Sequence, residues 1–120
     1  WWVKASLDVE AKRAGARHLF GHHDFTSFRA SHCQSASPMK TLDVLEINRH
    51  GDEIRVVAEA RSFLHHQVRN MVGTLKLVGD GSWSPERVAR ARDACARKAA
   101  GPTAPARGLY FTEVKYPSNA

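Results

Sequence analysis

The 120-residue sequence contains only two cysteines, and no run of apolar residues in it approaches the length of a membrane span. Cys33 and Cys95 are far apart and stand in no paired motif, so the sequence indicates neither a disulfide framework nor a zinc site. No signal-peptide pattern opens the chain. These absences argue against a disulfide-stabilised secreted domain and against an integral membrane protein, and they favour a location in the reducing cytoplasm.

Acidic residues are scarce relative to basic ones. The sequence has 12 Asp and Glu against 18 Lys and Arg, which gives a net charge of +6. Arginine outnumbers lysine two to one, and its guanidinium group forms bidentate contacts with phosphate or carboxylate. A basic surface attracts polyanions through counterion release, so nucleic acid is the leading partner class. The alternative is a soluble protein that happens to be basic.

The sequence shows no internal repeat, low-complexity tract or long linker. Its hydrophobic content of 42% and charged content of 25% are typical of a globular protein, and its length fits one domain over residues 1–120. The first residue is Trp1 rather than methionine. We therefore expect the chain to be a piece cut from a longer protein; trimming of a disordered start is the alternative.

Local patterns predict helices and an antiparallel hairpin. Ser6 is predicted to cap a helix that runs to about Phe20, and residues 22–38 are predicted to form an ordered loop. The apolar stripe of this helix is assigned to Leu7, Ala11, Ala14 and His18. A strand over 39–48, a turn at 51–52 and an alternating stretch over 54–61 predict a β-hairpin with one buried face.

The second half of the chain predicts two more helices. Apolar residues between positions 64 and 78 follow helical spacing, and glycines close that segment. Ser84 and Pro85 are typical of a helix start, and this helix is expected to reach Lys98 with a basic outer face. Residues 101–108 are predicted to form a loop and residues 109–116 a final strand. The pattern indicates an α+β domain whose antiparallel or mixed sheet is covered by helices on one face.

The segment FLHHQVRNMVG, residues 63–73, is the most informative for function. Arg69 lies in the first turns of a mostly apolar helix, where an unpartnered charge would cost several kcal/mol if it were buried. Either the guanidinium has a partner there, or its stem lies over the core and its head reaches solvent. The segment GPTAPARGLY, residues 101–110, can shape the wall of a pocket or act as an ordinary connector.

Other reactive residues support weaker hypotheses. The seven histidines include two adjacent pairs, but neighbours on a helix point about 100° apart and do not readily share a metal ion. Cys33 near His32 and Asp24 could act as a nucleophile, although a small packing residue fits the pattern better. A basic helix could bind phosphates or form a solvated face; its residues are Arg87, Arg90, Arg92, Arg97 and Lys98.

Four motifs occur in a fixed order along the chain: GHHDFTSFR, FLHHQVRNMVGTL, WSPE and GPTAPARGLY. Together they resemble the C-terminal motifs of the TruA family of tRNA pseudouridine synthases, over nearly the whole chain from about Leu7 to Pro117. The resemblance implies the C-terminal half of a pseudouridine synthase fold. It also implies a cytoplasmic homodimer that isomerises uridine in the tRNA anticodon stem-loop without a metal or organic cofactor.

The resemblance also assigns roles to individual residues. Arg69 matches the arginine that pairs with the family's catalytic aspartate, and Leu109 matches an apolar residue that packs by the uracil. We assign Arg29, His65 and His66 to the substrate-binding wall. Contacts with RNA are predicted for three basic residues, which are Lys40, Arg61 and Arg90.

One feature of the family is absent from this sequence. The catalytic aspartate stands in an Arg-Thr-Asp-x-Gly-Val-His-like motif of the N-terminal half, and none of the six aspartates here has that context. Asp24, within GHHDFTSFR, is expected to be structural. We therefore expect this chain to be inactive alone. Two alternatives are a stand-alone basic RNA-binding module without catalysis and a stable structural piece with weak RNA affinity.

Overall fold

The computed structural model describes residues 8–30, 37–51, 53–64 and 66–106. Its described part contains a three-stranded antiparallel sheet and three α-helices, which confirms the predicted α+β class. In chain order the elements are α1 (Val9–Ala16), β1 (Gly21–Asp24), β2 (Met39–His50), β3 (Glu53–Ala60), α2 (Gln67–Gly79) and α3 (Glu86–Asp93), with 3₁₀ turns at Thr26–Phe28 and Arg97–Ala99.

Strand β2 lies at the centre of the sheet. It pairs antiparallel with β1, where Gly21 is opposite Leu42, and with β3, where Ile47 is opposite Val56. The predicted hairpin is confirmed, and Gly51 at its turn has a φ of +62°, which glycine adopts without strain. The register of β2 against β3 shifts between residues 42 and 44, so an extra residue is accommodated there as a bulge.

One face of the sheet packs against the helices. Leu42 and Ile47 of β2 are buried, and every second residue of β3 from Ile54 onward is half-buried against the same core, while the residues between them are exposed. The helices contribute the buried residues Ala16, Met71, Leu75, Val78 and Val88. The period of two in β3 therefore separates a core face from a solvent face, as the sequence predicts.

Helix α1 differs from the prediction in its bounds and in its buried face. It begins at Val9, where Asp8 is the N-cap and its Oδ1 accepts from the Ala11 amide at 3.0 Å; Ser6 lies outside the described residues. The helix ends at Ala16 rather than at Phe20. The buried positions are Lys12, Gly15 and Ala16 instead of the predicted apolar stripe. Gly15 packs closely against α2 and α3, where an added Cβ would lie 3.2 Å from side-chain atoms of Leu75 and Val88, so these side chains would have to shift slightly to admit it.

The predicted loop over 22–38 was wrong at its start. Gly21–Asp24 forms the edge strand β1, and Thr26–Phe28 forms a 3₁₀ turn that buries Phe28. Strand β1 has no apolar alternation because its side chains lie at an edge that is half-open to solvent. Pairing with β2 makes it a strand, and this tertiary interaction has no local signal.

Helices α2 and α3 are shorter than predicted. α2 begins at Gln67 after His66, which adopts a left-handed φ of 63°. α3 begins at Glu86 and has no side-chain cap, so Ser84 contributes its carbonyl oxygen, to the Arg87 amide, instead of a capping hydroxyl. α3 ends at Asp93, and Cys95 has a φ of 49° that interrupts the helical path before Arg97–Ala99.

Two predicted features lie beyond what the structure covers. The final strand over 109–116 falls outside the described residues, as do positions 107–108 at the end of the predicted loop. Among the helices that are described, none is both long and apolar enough to cross a membrane.

Candidate functional site

The start of α2 and the loop over 101–104 meet in close contact. A Cβ atom on Gly73 would lie 1.7 Å from the Pro102 carbonyl oxygen, so only glycine lets the loop approach the helix this closely. Gly101 is similarly tight, with its hypothetical Cβ 2.9 Å from the Thr74 Cα. The Gly101 amide donates to the Thr74 hydroxyl at 2.9 Å. Two of the motifs found in the sequence therefore form one packed unit.

Arg69 is held against this loop by two hydrogen bonds to the same residue. Its Nε donates to the Ala104 carbonyl at 2.8 Å, and the Ala104 amide donates to the Arg69 carbonyl at 3.0 Å. Arg69 is half-buried, whereas Ala104 is buried. In the part of the chain that the structure describes, the two terminal nitrogens of Arg69 have no hydrogen bond or ion pair. They are the pair of donors that a carboxylate accepts in a bidentate geometry.

Asn70 connects the helix to two further segments. The residue is 1% exposed, and its Nδ2 donates to the Phe28 carbonyl at 2.7 Å. Its Oδ1 accepts from the Thr103 hydroxyl at 2.5 Å and from Arg97 Nη2 at 3.1 Å. Donor and acceptor capacity of this amide are both used, as a buried amide requires.

Arg97 is a site residue, although the sequence pattern predicts it on the basic helix. Its Nη1 donates to the Gly101 carbonyl at 2.7 Å, and its Nη2 contacts Asn70 Oδ1 and Thr103 Oγ1, each at 3.1 Å. The residue therefore faces the loop rather than forming part of an exposed phosphate-binding helix. The end of the amphipathic period after Ala91 could have placed Arg97 beyond α3, but no local signal indicates its contact with the loop.

Two more arginines of the predicted basic face also have internal partners. Arg92 donates to the His18 carbonyl at 2.5 Å and pairs with Asp93, and the Arg87 guanidinium lies 4.1 Å from the centre of the Trp83 ring. Arg90 and Lys98 remain exposed. The basic helix thus presents fewer free cations than its sequence predicts.

The predicted substrate-binding residues are only partly covered by the structure. His66 is half-buried at the start of α2, where its carbonyl accepts from the Asn70 amide at 2.9 Å. Arg29 is half-buried and follows Phe28, whose carbonyl anchors Asn70. His65 and Leu109 lie outside the described residues. The two predicted residues that the structure describes, Arg29 and His66, therefore belong to segments next to α2.

The predicted RNA contacts divide between two regions. Lys40 donates to Ser62 at 3.0 Å across the sheet, and Arg61 is exposed next to Ser62. The chain runs from this end of the sheet directly into α2, which begins at Gln67 without an acidic residue in its first turn. Positive charge and the positive end of the helix dipole thus occur in consecutive segments. Arg90, by contrast, is on α3.

The aspartates in the described ranges have structural roles or exposed positions, and none of them forms an ion pair with Arg69. Asp24 accepts from both the backbone amide and the hydroxyl of Thr26, at 2.8 and 2.6 Å, which agrees with the structural role expected for it. The Thr26 hydroxyl bond is the main reason that the pKa of Asp24 lies below its ordinary value. Asp43 is exposed on β2.

The remaining reactive groups do not form a second catalytic arrangement in the described ranges. The pKa of the Cys95 thiol is raised, first by desolvation and then by the negative charge of Asp24, so the reactive thiolate is disfavoured. Cys33 and His32 lie outside these ranges. Within them, no three histidine, cysteine, aspartate or glutamate side chains are grouped as metal ligands.

A groove of about 620 Å³ lies elsewhere, between α1 and β2. Arg13 crosses it, donating to the Ile47 carbonyl at 2.7 Å and to Asn48 at 3.2 Å. The exposed ring of Phe20 forms part of its wall. None of the predicted site residues that the structure describes lines this groove, so it is separate from the described contacts around Arg69.

Comparison with known proteins identifies the family. A family model described as tRNA pseudouridine synthase matches residues 16–117. The chain belongs to the tRNA pseudouridine synthase family. The match includes both α2 and the loop over 101–104, so the packed unit around Arg69 lies inside the family region.

Several tRNA pseudouridine synthases A are close relatives of this family member. The protein of that name from Paramagnetospirillum magneticum is 66% identical over 97% of the chain, and that from Rhodospirillum centenum is 63% identical over 97%. The Acidiphilium cryptum relative is 60% identical over 97%. The matched regions are only 45%, 47% and 46% of these three proteins, respectively. The chain thus spans about half the length of its pseudouridine synthase relatives.

Proposed function

We propose that this chain is the C-terminal domain of a tRNA pseudouridine synthase and that it supplies Arg69 to an active site completed by an N-terminal half. The observation that carries the proposal is the fixed position of Arg69. Its Nε is held by the Ala104 carbonyl, and its terminal nitrogens have no partner among the described residues. A guanidinium held in this way is suited to bind a carboxylate from another segment.

The proposed reaction is the isomerisation of uridine to pseudouridine in the tRNA anticodon stem-loop. The N1–C1′ glycosidic bond breaks, the uracil rotates and a C5–C1′ bond forms, while a proton leaves C5 and N1 gains one. An aspartate of the N-terminal half starts the cleavage. Arg69 pairs with that carboxylate, which keeps it ionised and oriented. The uridine leaves the base stack first, at a cost of about a few kcal/mol.

The other residues have supporting roles in this proposal. Leu109 packs by the uracil, and Arg29, His65 and His66 contribute to the substrate-binding wall. Lys40, Arg61 and Arg90 contact phosphates, which adds sequence-independent affinity that falls as salt rises. The full protein is a cytoplasmic homodimer and needs neither metal nor organic cofactor; family resemblance supports these points.

The experiment measures pseudouridine formation in an unmodified tRNA anticodon stem-loop. The chain is assayed alone and as a fusion behind the N-terminal half of the Paramagnetospirillum magneticum relative. We expect product only from the fusion, and we expect Arg69→Ala to lower its rate by at least about 100-fold, as for other removed electrostatic groups. Arg55→Ala is the charge-matched control, because Arg55 is exposed and pairs only with Glu53 in the described structure.

The outcomes of this assay distinguish the proposed catalytic domain from a stand-alone RNA-binding module. Product from the chain alone would contradict the absence of a catalytic carboxylate. Full activity of the Arg69→Ala fusion would remove the proposed role of Arg69. A stand-alone RNA-binding module is favoured by the succession of Lys40, Arg61 and the α2 N-terminus. That function predicts steeply salt-dependent tRNA binding by the chain alone, with no product from the fusion.

A further inference from the structure

We propose that Arg97 is a positioning residue, which fixes the loop over 101–104 to α2 so that the Ala104 carbonyl holds the Arg69 guanidinium. This inference rests on the proposed function of Arg69. Arg97 does not contact Arg69 itself in the described structure. It acts on the neighbours of both partners, since Asn70 follows Arg69 and Thr103 precedes Ala104.

The contacts of Arg97 connect three segments. Its two terminal nitrogens reach the Gly101 carbonyl, the Thr103 hydroxyl and the Asn70 side-chain oxygen at 2.7 to 3.1 Å. Asn70 extends the network to the Phe28 carbonyl. A forked, planar donor fits acceptors that diverge in this way, whereas a lysine ammonium offers a single point of charge.

Close packing restricts the loop over 101–104 to one position against α2. Gly101 and Ala104 are buried, and the backbone of Pro102 is in close contact with Gly73. A shift of the loop therefore moves the Ala104 carbonyl, which is the acceptor of the Arg69 Nε bond. Because a misplacement of about 1 Å can cost about 100-fold in rate, loop position is a sensitive variable for catalysis.

The electrostatics of Arg97 favour the same role. Partial burial lowers the pKa of its guanidinium, and its described partners are neutral carbonyl, amide and hydroxyl groups. The group remains charged because an arginine pKa stays far above neutrality. No carboxylate in the described part pairs with Arg97, so its donors stay on the neutral acceptors of the loop and of Asn70.

The test uses the full-length fusion described above, with steady-state kinetics on the tRNA stem-loop. We expect Arg97→Met to lower kcat by about 10- to 100-fold while KM changes less than about threefold. We expect the acid limb of the kcat/KM profile to move to higher pH, because a misplaced Arg69 stabilises the ionised aspartate less. Arg97→Lys should recover only part of the rate.

A double variant tests whether Arg97 acts through Arg69. If it does, the Arg69→Ala and Arg97→Met double variant has the same rate as Arg69→Ala alone, whereas independent effects would multiply. Arg92→Met is the matched control, since Arg92 also donates to a backbone carbonyl but on the side of His18. It should keep the rate of the parent fusion.

Thr103→Val provides a second variant if Arg97→Met fails to fold, because Thr103 is exposed and loses only its hydroxyl contacts to Asn70 and Arg97. It should lower kcat in the same direction. Parent-like kcat and pH profile in folded Arg97→Met, or in Thr103→Val if that is the variant that folds, would overturn the inference. The proposed function fails separately, through an inactive parent fusion or an active Arg69→Ala fusion.

Discussion

Gly73 and Pro102 lie so close together that the place of a side chain on Gly73 is taken by a backbone carbonyl of the loop. The hypothetical Cβ would be 1.7 Å from the Pro102 oxygen, far inside any contact distance. Backbone cannot rotate away as a side-chain tip can. The arrangement therefore makes Gly73 a determinant of where the loop, and with it the Ala104 acceptor for Arg69, can lie.

The first prediction follows from this contact. Gly73→Ala should destabilise the chain by at least about 2 kcal/mol, although alanine favours a helix by about 1 kcal/mol over glycine. Gly15→Ala is the control within α1, because its Cβ would meet only side-chain atoms, at 3.2 Å. The free energies of unfolding are measured by urea denaturation. Equal stabilities of the two variants would contradict the rigidity assigned to the loop.

The second prediction concerns Ser27, which is fully buried beneath the end of α3. Its hydroxyl donates to the Ala91 carbonyl at 2.6 Å and accepts from the Ala96 amide at 3.0 Å. Ser27→Ala leaves both backbone groups without this partner, so we expect a loss of about 2 kcal/mol in urea denaturation. Ser62→Ala should change stability by less than about 0.5 kcal/mol, since Ser62 is exposed. A similar effect at both sites would show that burial does not decide the cost.

The third prediction is a pH dependence at the end of α2. Asp80 accepts from the Ser82 amide at 2.9 Å and pairs with Lys76 at 2.9 Å, with only 13% of its side chain exposed. The Ser82 and Lys76 contacts lower the pKa of Asp80 to about 2, from an ordinary value of 3.8. A lowered carboxyl pKa stabilises the fold above the unfolded pKa, and this contribution is lost as pH falls through the folded one.

Asp80→Asn should therefore cost about 1–2 kcal/mol at pH 6, a value reduced for solvent screening. The difference from the parent should shrink between about pH 4 and pH 2, as followed by thermal melts across that range. Asp93→Asn is the control, since Asp93 also pairs with a basic residue, Arg92, but its side chain is 67% exposed. A gap for Asp80→Asn that does not depend on pH would contradict the assigned charge effect.

The sequence was sufficient to predict the elements whose apolar residues repeat at a regular spacing. The hairpin follows from the alternation in β3, and α2 follows from apolar residues at helical spacing closed by Gly79. Strand β1 was missed because its pairing with β2 is a contact with a distant segment. The buried face of α1 was misplaced because a lysine and a glycine occupy it, and hydropathy does not predict either.

In the candidate site, too, some residues can be predicted from the sequence and others only from the folded structure. Arg69 stands out in the sequence because a charge interrupts an apolar helix, and the structure gives it a defined acceptor in Ala104. Arg97 and Thr103 do not stand out, since their roles arise only when the loop folds back on α2. The pairing of Arg69 with a catalytic aspartate stays a prediction, because that aspartate belongs to the proposed N-terminal half.

The last prediction concerns Lys12, which is only 4% exposed on the buried face of α1. Desolvation lowers the pKa of its ammonium from 10.5, and no acidic side chain pairs with it in the described ranges. Lys12→Met keeps a similar volume and removes the buried charge, so we expect it to raise stability by about 1 kcal/mol at pH 7. Lys98→Met is the exposed control and should leave the urea midpoint unchanged.

The difference in stability between the parent and Lys12→Met should depend on pH in a defined direction. The unfolded chain binds a proton on Lys12 up to about its ordinary pKa, whereas the folded chain releases that proton earlier, so parent stability rises with pH in the window below 10.5. The advantage of Lys12→Met should therefore be largest near neutrality and shrink as the pH approaches 10. A variant that is less stable than the parent at pH 7 would mean that the ammonium makes a favourable interaction that outweighs its desolvation.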